Sequence, residues 1–512
     1  MARIGTKNPM RPRKFRKKTL EPRYWTDYVM QFGLDTAFRA MRDQFNHGRH
    51  RTMWRVLAFA LAGLGAIWLT IATILPRLSR GPEATNVVLI TIDTLRANRL
   101  GVYGYAKDTS PNLDRFARQS IVFQKAYAHA PATVPSLGTL MTSQYPHEIR
   151  VYTNVNRLQK EVVTLAEILL QNGFRTGAVV SNPVLERDSG FDQGFEDYDH
   201  RLDPSHGDDI YRIAPNTTET ALSWLKAHRR SRFFLWVHYM EPHGPYTPPP
   251  PFDTMFVSTE PSPSTLLKVN DMYDGRGGIP GYQVLGDHRD PEYYRSRYDG
   301  LIRFLDHSLG VLFDGIRDLG LMDNTLVIVT ADHGEGLGEH DYFFDHTDFV
   351  YEEMLRVPLI LRLPGQVAGR EVGRMVGLIE VLPEILHLTR INTVTPLDGT
   401  GLLHDEREKD IYAETFYHRR VATILSGGYK LIDTDAAPMA VDHELYDLTR
   451  DPGELQDLLD AREKPQADRI RTGLANRLEA ILNRDDVRLP KPQLRGLDEE
   501  GRQRLKSLGY TQ

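Results

Sequence analysis

The sequence predicts an α/β protein built on a mostly parallel central sheet flanked by helices. Three observations carry this. The runs Val87-Val88-Leu89-Ile90-Thr91-Ile92 and Thr325-Leu326-Val327-Ile328-Val329-Thr330-Ala331 are apolar, rich in β-branched residues and bounded by polar ones, the pattern of strands buried on both faces. Such runs alternate with segments of helical period, which implies a sheet covered on both sides. Two of them end in carboxylates, at Asp93 and at Asp332-His333-Gly334-Glu335. Ligands in open α/β sheets bind beyond the carboxyl ends of the strands.

The chain of 512 residues has the length for a sizeable core and more than one domain. Residues 1–53 form a basic segment in which Arg11, Arg13, Lys14, Arg16, Lys17 and Lys18 cluster. Residues 24–46 fit one amphipathic helix with Trp25, Tyr28, Val29, Phe32, Phe38 and Phe45 on its apolar face. A solvated tail and a lipid-binding surface fit that segment equally well. Residues 54–75 are almost wholly apolar, and about 22 residues suffice to cross a bilayer. The basic residues lie before this stretch, which places the N-terminus in the cytoplasm and the rest on the periplasmic or extracellular side. A cleaved signal peptide would have a shorter apolar core and a small-residue cleavage site. We therefore expect a single-pass anchor in the cell membrane, followed by a short linker, 76–85.

The catalytic domain is expected over 86–408. Ser110-Pro111-Asn112 opens a helix whose apolar face is Leu113, Phe116 and Ala117. Ile121-Val122-Phe123 is a short strand leading to Thr133-Val134-Pro135-Ser136, after which Ser136 to Thr142 forms a helix. Thr133 would stand just before that helix, where free N–H groups and the dipole favour an anion. Val162 to Asn172 is a helix closed by Gly173, Arg175 to Val180 a strand, and Phe233 to Val237 a strand ending at His238. Residues 248–291, rich in Pro, Gly and Asp, form a loop or lid insertion. A long helix spans Tyr294 to Gly320, Leu359 to Leu363 is a strand and Ile379 to Leu388 a helix. In the subdomain 409–512 the pattern changes to short strands at Ile411–Glu414, Val421–Leu425 and Tyr429–Ile432.

The absence of cysteine excludes disulfides, thiolate metal sites and a cysteine nucleophile. The net charge of −5 names no partner, and no basic groove with interleaved aromatics supports nucleic-acid binding. Asp93, Asp332 and His333 offer two carboxylates and an imidazole, and Thr133 an alkoxide oxygen. This mixed set suits one divalent ion of manganese, zinc or magnesium better than calcium. Each residue alone is ordinary: an aspartate after a strand more often caps a turn, and Thr-x-Pro is usually a loop.

Together they are not. Asp93-Thr94-Leu95-Arg96, Ser110-Pro111-Asn112-Leu113-Asp114, the Thr133 turn, Pro242-His243-Gly244-Pro245-Tyr246, Asp332-His333-Gly334-Glu335, Gly338-Glu339-His340, Tyr351-Glu352-Glu353 and Arg356-Val357-Pro358-Leu359-Ile360 follow one another in an order that resembles the sulfatase branch of the alkaline-phosphatase superfamily. The resemblance implies an alkaline-phosphatase-like fold whose C-terminal subdomain packs an antiparallel sheet and a final helix on the main domain. It implies Asp93, Thr133, Asp332 and His333 as metal ligands, and Thr133, His243 and His346 as catalytic groups. His238, Arg96 and Asn112 would bind substrate. A second metal would need a further carboxylate beside His238, His243 and His346, and no motif supplies one. The chain also departs from the family's sulfatases. They carry Cys or Ser, oxidised to formylglycine, at the position of Thr133, Arg at Leu137, a second Asp at Thr94, and Asn or Gln at His333. Threonine cannot yield that aldehyde, so no formylglycine is expected. The pattern is instead similar to the Thr-nucleophile members: phosphodiesterases, phosphonate monoester hydrolases, lipoteichoic-acid synthases and phosphoethanolamine transferases. The expected activity is cleavage or transfer of an anionic phosphate ester at a membrane, on a lipid headgroup or envelope glycan. Two alternatives stand beside it: sulfate-ester hydrolysis without formylglycine, and a degenerate anion-binding or scaffold protein. Oligomeric state is left open.

Overall fold

Strands β1 (Asn86–Ile92), β2 (Ile121–Tyr127), β3 (Arg175–Val180), β4 (Asp197–Asp199) and β5 (Phe233–Tyr239) form from the β-branched and aromatic runs of the first half of the catalytic domain. A short pair, β6 (Val269–Asn270) and β7 (Ile279–Pro280), is followed by β8 (Thr325–Ala331), β9 (Arg356–Arg362) and β10 (Arg370–Gly377). The computed structural model describes residues 85–510 except 203–210, 260–264, 271–274, 437–439, 461–464 and 484–488. The basic segment 1–53, the expected membrane span 54–75 and the linker up to residue 84 lie outside the described residues. Among those described, no helix is long and apolar enough to cross a membrane.

Among the described residues the main sheet has eight strands in the order β10-β2-β9-β8-β1-β5-β3-β4. Every residue of β1, β5 and β8 is buried, as central strands covered on both faces must be. All pairings are parallel except those of β9, which runs antiparallel to β2 and to β8. The strand expected at Leu359–Leu363 thus begins three residues earlier and runs the other way. The chain leaves β8 at its carboxyl end, spends residues 332–355 along that same edge and enters β9 from there without crossing back to the opposite edge, so β9 runs antiparallel to β8.

Helices α1 (Pro111–Ala117), α2 (Thr133–Thr142), α3 (Pro146–Ile149), α4 (Leu165–Gln171), α5 (Ala214–His228), α6 (Pro291–Asp318), α7 (Glu352–Leu355) and α8 (Val381–Thr389) flank the sheet. Some ends differ from the sequence expectation because caps override periodicity. The Thr164 hydroxyl accepts from Glu167 N–H while the Glu167 carboxylate accepts from Thr164 N–H, so α4 starts at Leu165 rather than Val162. Asp290 caps α6, which begins with proline. The insertion 248–291 is tied to the loop after β8. Gly275 N–H donates to Asp345 Oδ2 (2.9 Å), Phe343 N–H to Gly275 O (2.8 Å) and Gly277 N–H to Asp341 O (2.8 Å).

A second sheet, β11 (Ile411–Thr415), β12 (Val421–Ser426), β13 (Tyr429–Ala436) and β14 (Ala440–Asp447), is antiparallel throughout. Helix α9 (Pro465–Leu482) lays Leu474 and Leu478 on Ile424, Leu431 and Leu445, and Tyr145 and Ile379 of the main domain join that core. The resemblance implied one final helix on this subdomain. There are two, and the second leaves it. Helix α10 (Glu499–Ser507) returns to the main domain, where Leu505, Leu508 and Tyr510 enter the larger core.

Candidate active site

The site lies at the carboxyl edge of β1, β5 and β8, where β1 and β8 each deliver the first residue after the strand and β5 delivers one from within it. Asp93 follows β1 and Asp332-His333 follow β8, while His238, inside β5, pairs in register with Thr91. Thr94 turns the chain with a left-handed φ of 53° and donates its N–H to Asp332 Oδ1 (3.2 Å). Asp93, Asp332 and His333 are fully buried, and their ligand atoms lie within 4.8 Å of one another. His333 Nε2 is 3.7 Å from Asp93 Oδ1 and 3.8 Å from Asp332 Oδ2.

The donor chemistry of this set is one-sided. Gly334 O can only accept, so the His333 Nδ1–H donates to it (2.9 Å) and the neutral ring turns its Nε2 lone pair inward. Asp93 Oδ1 and Asp332 Oδ2 are buried without a hydrogen-bond partner. Burial and the neighbouring Asp93 push the Asp332 carboxyl well above the usual carboxylate range, and burial lowers His333. Two buried carboxylates and an imidazole lone pair facing one another without a donor fit a divalent cation. A second group, Glu384, His387 and His404, has the same spacing. Both of its histidines are exposed, however, and Glu384 Oε2 already accepts from Leu403 N–H (2.9 Å).

Thr133 is the first residue of α2, not the residue before it, and Ala132 provides the extended cap. Its Oγ1 is 3.4 Å from His333 Nε2 and fully buried. The expected cradle of backbone donors is thinner than the sequence suggested. Pro135 has no N–H, and Val134 N–H is taken by Asn154 Oδ1 (2.9 Å). Asn154 Nδ2 is in turn buried without a partner. Ser136 fixes the helix start to the end of β8 by donating to Asp332 O (2.5 Å). Leu137, where the family's sulfatases have Arg, is a core residue.

His243 and His346 face the same space. Their rings lie 5.1 Å apart, and His346 is 4.6 Å from the His333 ring. His243 donates Nδ1–H to Gly244 O (2.7 Å) and keeps Nε2 free, as does His346. Burial brings His243 down to about 4, so the ring is neutral at neutral pH and its Nε2 is a hydrogen-bond acceptor. His346 Nδ1 lies 3.4 Å from Glu335 Oε1, and burial pushes Glu335 up to about 7.

The three residues expected to bind substrate are placed otherwise. His238 stands behind Asp93, with Nε2 3.6 Å from Oδ2 and Nδ1 on Thr91 Oγ1 at 2.9 Å. It positions the Asp93 carboxylate. Arg96 is held by Glu339 through two contacts (2.8 and 3.0 Å) and donates to Glu335 O (3.0 Å). Asn112 spends its backbone N–H and side-chain amide on Asp306 of α6, joining α1 to α6 rather than the cluster.

Two residues escaped the sequence reading. Asn182 donates Nδ2–H to Asp93 Oδ2 (2.5 Å) and to Tyr510 Oη (2.9 Å). It follows β3 at the carboxyl edge, and that position was the available signal. Tyr510, beyond α10, is buried against the His243 ring at 5.2 Å, beside Thr133. Nothing local announces it.

With this geometry in hand, the comparisons agree. A family model described as Sulfatase matches residues 85–391, and one described as N-sulphoglucosamine sulphohydrolase, C-terminal, matches 338–484. The chain is 22% identical over 474 residues to the N-acetylglucosamine-6-O-sulfatase of Bacteroides thetaiotaomicron, covering 74% of this chain and 83% of that one. It shares its fold with a protein solved in complex with its substrate D-glucosamine-2-N,6-O-disulfate (TM-score 0.66, 21% identity, 79% of this chain and 99% of that chain). The same holds for the phosphonate monoester hydrolase of Agrobacterium radiobacter (TM-score 0.64, 21% identity, 78% and 95%).

Proposed function

The chain belongs to the sulfatase family and is an ester-hydrolysing enzyme; from that premise we propose that it cleaves or transfers phosphate esters through a Thr133 nucleophile. The observation that carries this is the placement of the Thr133 hydroxyl, at the head of α2 and 3.4 Å from His333 Nε2. Asp93, Asp332 and His333 would hold one divalent ion, with Thr133 as its fourth ligand. Bound there, such an ion would supply Lewis-acid polarisation of the ester oxygen and a lowered hydroxyl pKa. Thr133 Oγ attacks phosphorus, the P–O bond to the alcohol breaks, and the Thr133 proton ends on the departing alcohol. Water or an acceptor alcohol then attacks phosphorus, the Thr133 Oγ–P bond breaks, and the attacking group's proton passes through a neutral imidazole, His243 or His346, to Thr133 Oγ. Asn182 and His238 keep Asp93 oriented throughout.

The apolar stretch 54–75 supports a membrane anchor with the catalytic domain outside the cytoplasm. A lipid headgroup or envelope glycan ester is then the substrate within reach. A second reading, sulfate-ester hydrolysis, is supported by the sulfated substrate named for the related solved structure. The test is a side-by-side assay of aryl phosphodiester, phosphomonoester and sulfate ester by the manganese- or zinc-loaded protein, with intact mass after a quench. Diester turnover with a phosphate-sized adduct that Thr133→Ala abolishes is the expected result. Sulfate-ester turnover alone would replace it with the second reading. Silence on all three, with metal bound, would favour an anion-binding or scaffold role.

A further inference from the structure

The walls around Thr133 are rich in acceptors and poor in backbone donors. Asp93 Oδ1, Asp332 Oδ2, and the Nε2 atoms of His333, His243 and His346 converge there as acceptors. The first turn of α2 adds little, since Pro135 has no N–H and Val134 N–H is spent on Asn154. A tetrahedral oxyanion needs donors aimed at its non-bridging oxygens in addition to any cation. They must come from side chains.

Tyr510 is built to be one. Asn182 has two N–H bonds and gives one to Asp93 Oδ2 and the other to Tyr510 Oη. The phenol oxygen therefore accepts from Asn182, and its own O–H, which has no acceptor in a hydrogen bond among the described residues, is left to donate. The ring is wedged against His243 (5.2 Å) and His346 (6.1 Å). Its placement is rigid. Arg504 pairs with Glu186 (2.8 Å) and Arg495 with Asp188 (2.6 Å), both in the segment that follows Asn182. Gly509 makes the turn from α10 into the site: its φ is 82°, and a Cβ there would come within 2.5 Å of the Tyr282 ring. The chain thus threads hundreds of residues past Thr133 to return a hydroxyl to it.

We propose that Tyr510 is a substrate-contacting residue whose hydroxyl, held by Asn182, donates a hydrogen bond to a non-bridging oxygen of the bound phosphate or sulfate group. This rests on the reading of the site as an ester-anion site, but not on the identity of the nucleophile. It is tested on the full chain in detergent, loaded with Mn2+, by calorimetric titration of inorganic phosphate and of inorganic sulfate. Tyr510→Phe keeps the ring against both histidines and removes only the O–H. The expected result is an affinity about 10- to 100-fold weaker with Mn2+ content and melting temperature unchanged. Unchanged affinity overturns the proposal, as does a wild-type protein that binds neither anion. A melting temperature that falls with the affinity marks a structural role and overturns it too. Thr133→Ala, assayed in parallel on esters, separates the two readings. If its turnover equals wild type the nucleophile assignment fails, while the Tyr510 effect on anion affinity stands or falls on its own.

Discussion

The loop from Asp332 to Leu355 carries buried charge at both ends, arranged in opposite ways. At its start, acceptors face acceptors: Asp93, Asp332 and the His333 lone pair meet with no donor between them. At its far end, charges meet partners. His340 donates to Glu353 Oε1 (2.8 Å) and to Glu454 O (3.0 Å). Lys430, fully buried, reaches Glu454 Oε1 at 2.7 Å, and Glu352 N–H donates to Glu454 Oε2 (2.6 Å). Tyr351 O–H donates to Glu444 of β14 (2.8 Å). The paired end sews the catalytic domain to the second sheet; the unpaired end leaves acceptors facing one another. Burial is common to both, so burial alone does not mark a site. What marks it is the lack of complementary partners.

That contrast can be broken first at Thr133. Thr133→Ala should lower ester turnover on the order of 10³-fold or more while leaving the melting curve in place, because no packing depends on the hydroxyl. A melting curve displaced as far as the activity would place Thr133 with the structural groups instead. Metal linkage is next. Added Mn2+ or Zn2+ should raise the melting temperature of wild type and of Thr133→Ala, by about 2.7 kcal/mol of stability at a hundred-fold excess over Kd. The same addition should leave Asp332→Asn unmoved. Stabilisation that survives Asp332→Asn but vanishes in His387→Ala/His404→Ala would move the cation to α8.

The paired end should behave in reverse. Lys430→Met strands the Glu454 carboxylate in the seam and should cost about 3–5 kcal/mol, with turnover per folded molecule retained. Adding Glu454→Leu should recover most of that loss, and a double variant as unstable as the single would show that the pair is not the cause. The smallest effect is a pH dependence at His340. Burial, the largest single influence, opposes its charge, but the hydrogen bond and charge of Glu353 together with those of Glu454 outweigh it and push the group up to about 9 from an ordinary 6.5. A folded-state value above the unfolded one gives stability that is fully present below about 6.5 and is lost as pH rises through about 9. The melting-temperature gap between wild type and His340→Ala should therefore be widest near pH 6 and close by pH 10; a constant gap would assign His340 a packing role.

Much of the site was legible because its residues sit where strands end. Asp93, His238 and Asp332 could be read from apolar runs that stop abruptly, and His333 came with its neighbour. The helix expected from Ser136 starts at Thr133 itself, three residues earlier, since a helix that opens Thr-Val-Pro has no side-chain cap to mark its start. Arg96 and Asn112 matched motifs, yet their partners Glu339 and Asp306 lie hundreds of residues away, and only the fold reveals that these groups are already committed. The span 54–75 was read from hydropathy alone.

The sequence by itself determined the central strands β1, β3, β5 and β8, the edge at which two of them end in carboxylates, and the two carboxylates and imidazole that meet there. Each is written in local patterns: β-branched runs, a polar stop, a carboxylate beside an imidazole. Tertiary structure alone decided that β9 runs backwards, that Asn182 braces Asp93, and that Tyr510 closes on Thr133. The Asn182–Tyr510 bond spans 328 residues. A contact of that range leaves no period in the chain, because it is specified by the packing of α10 against the main core and not by the residues around either partner.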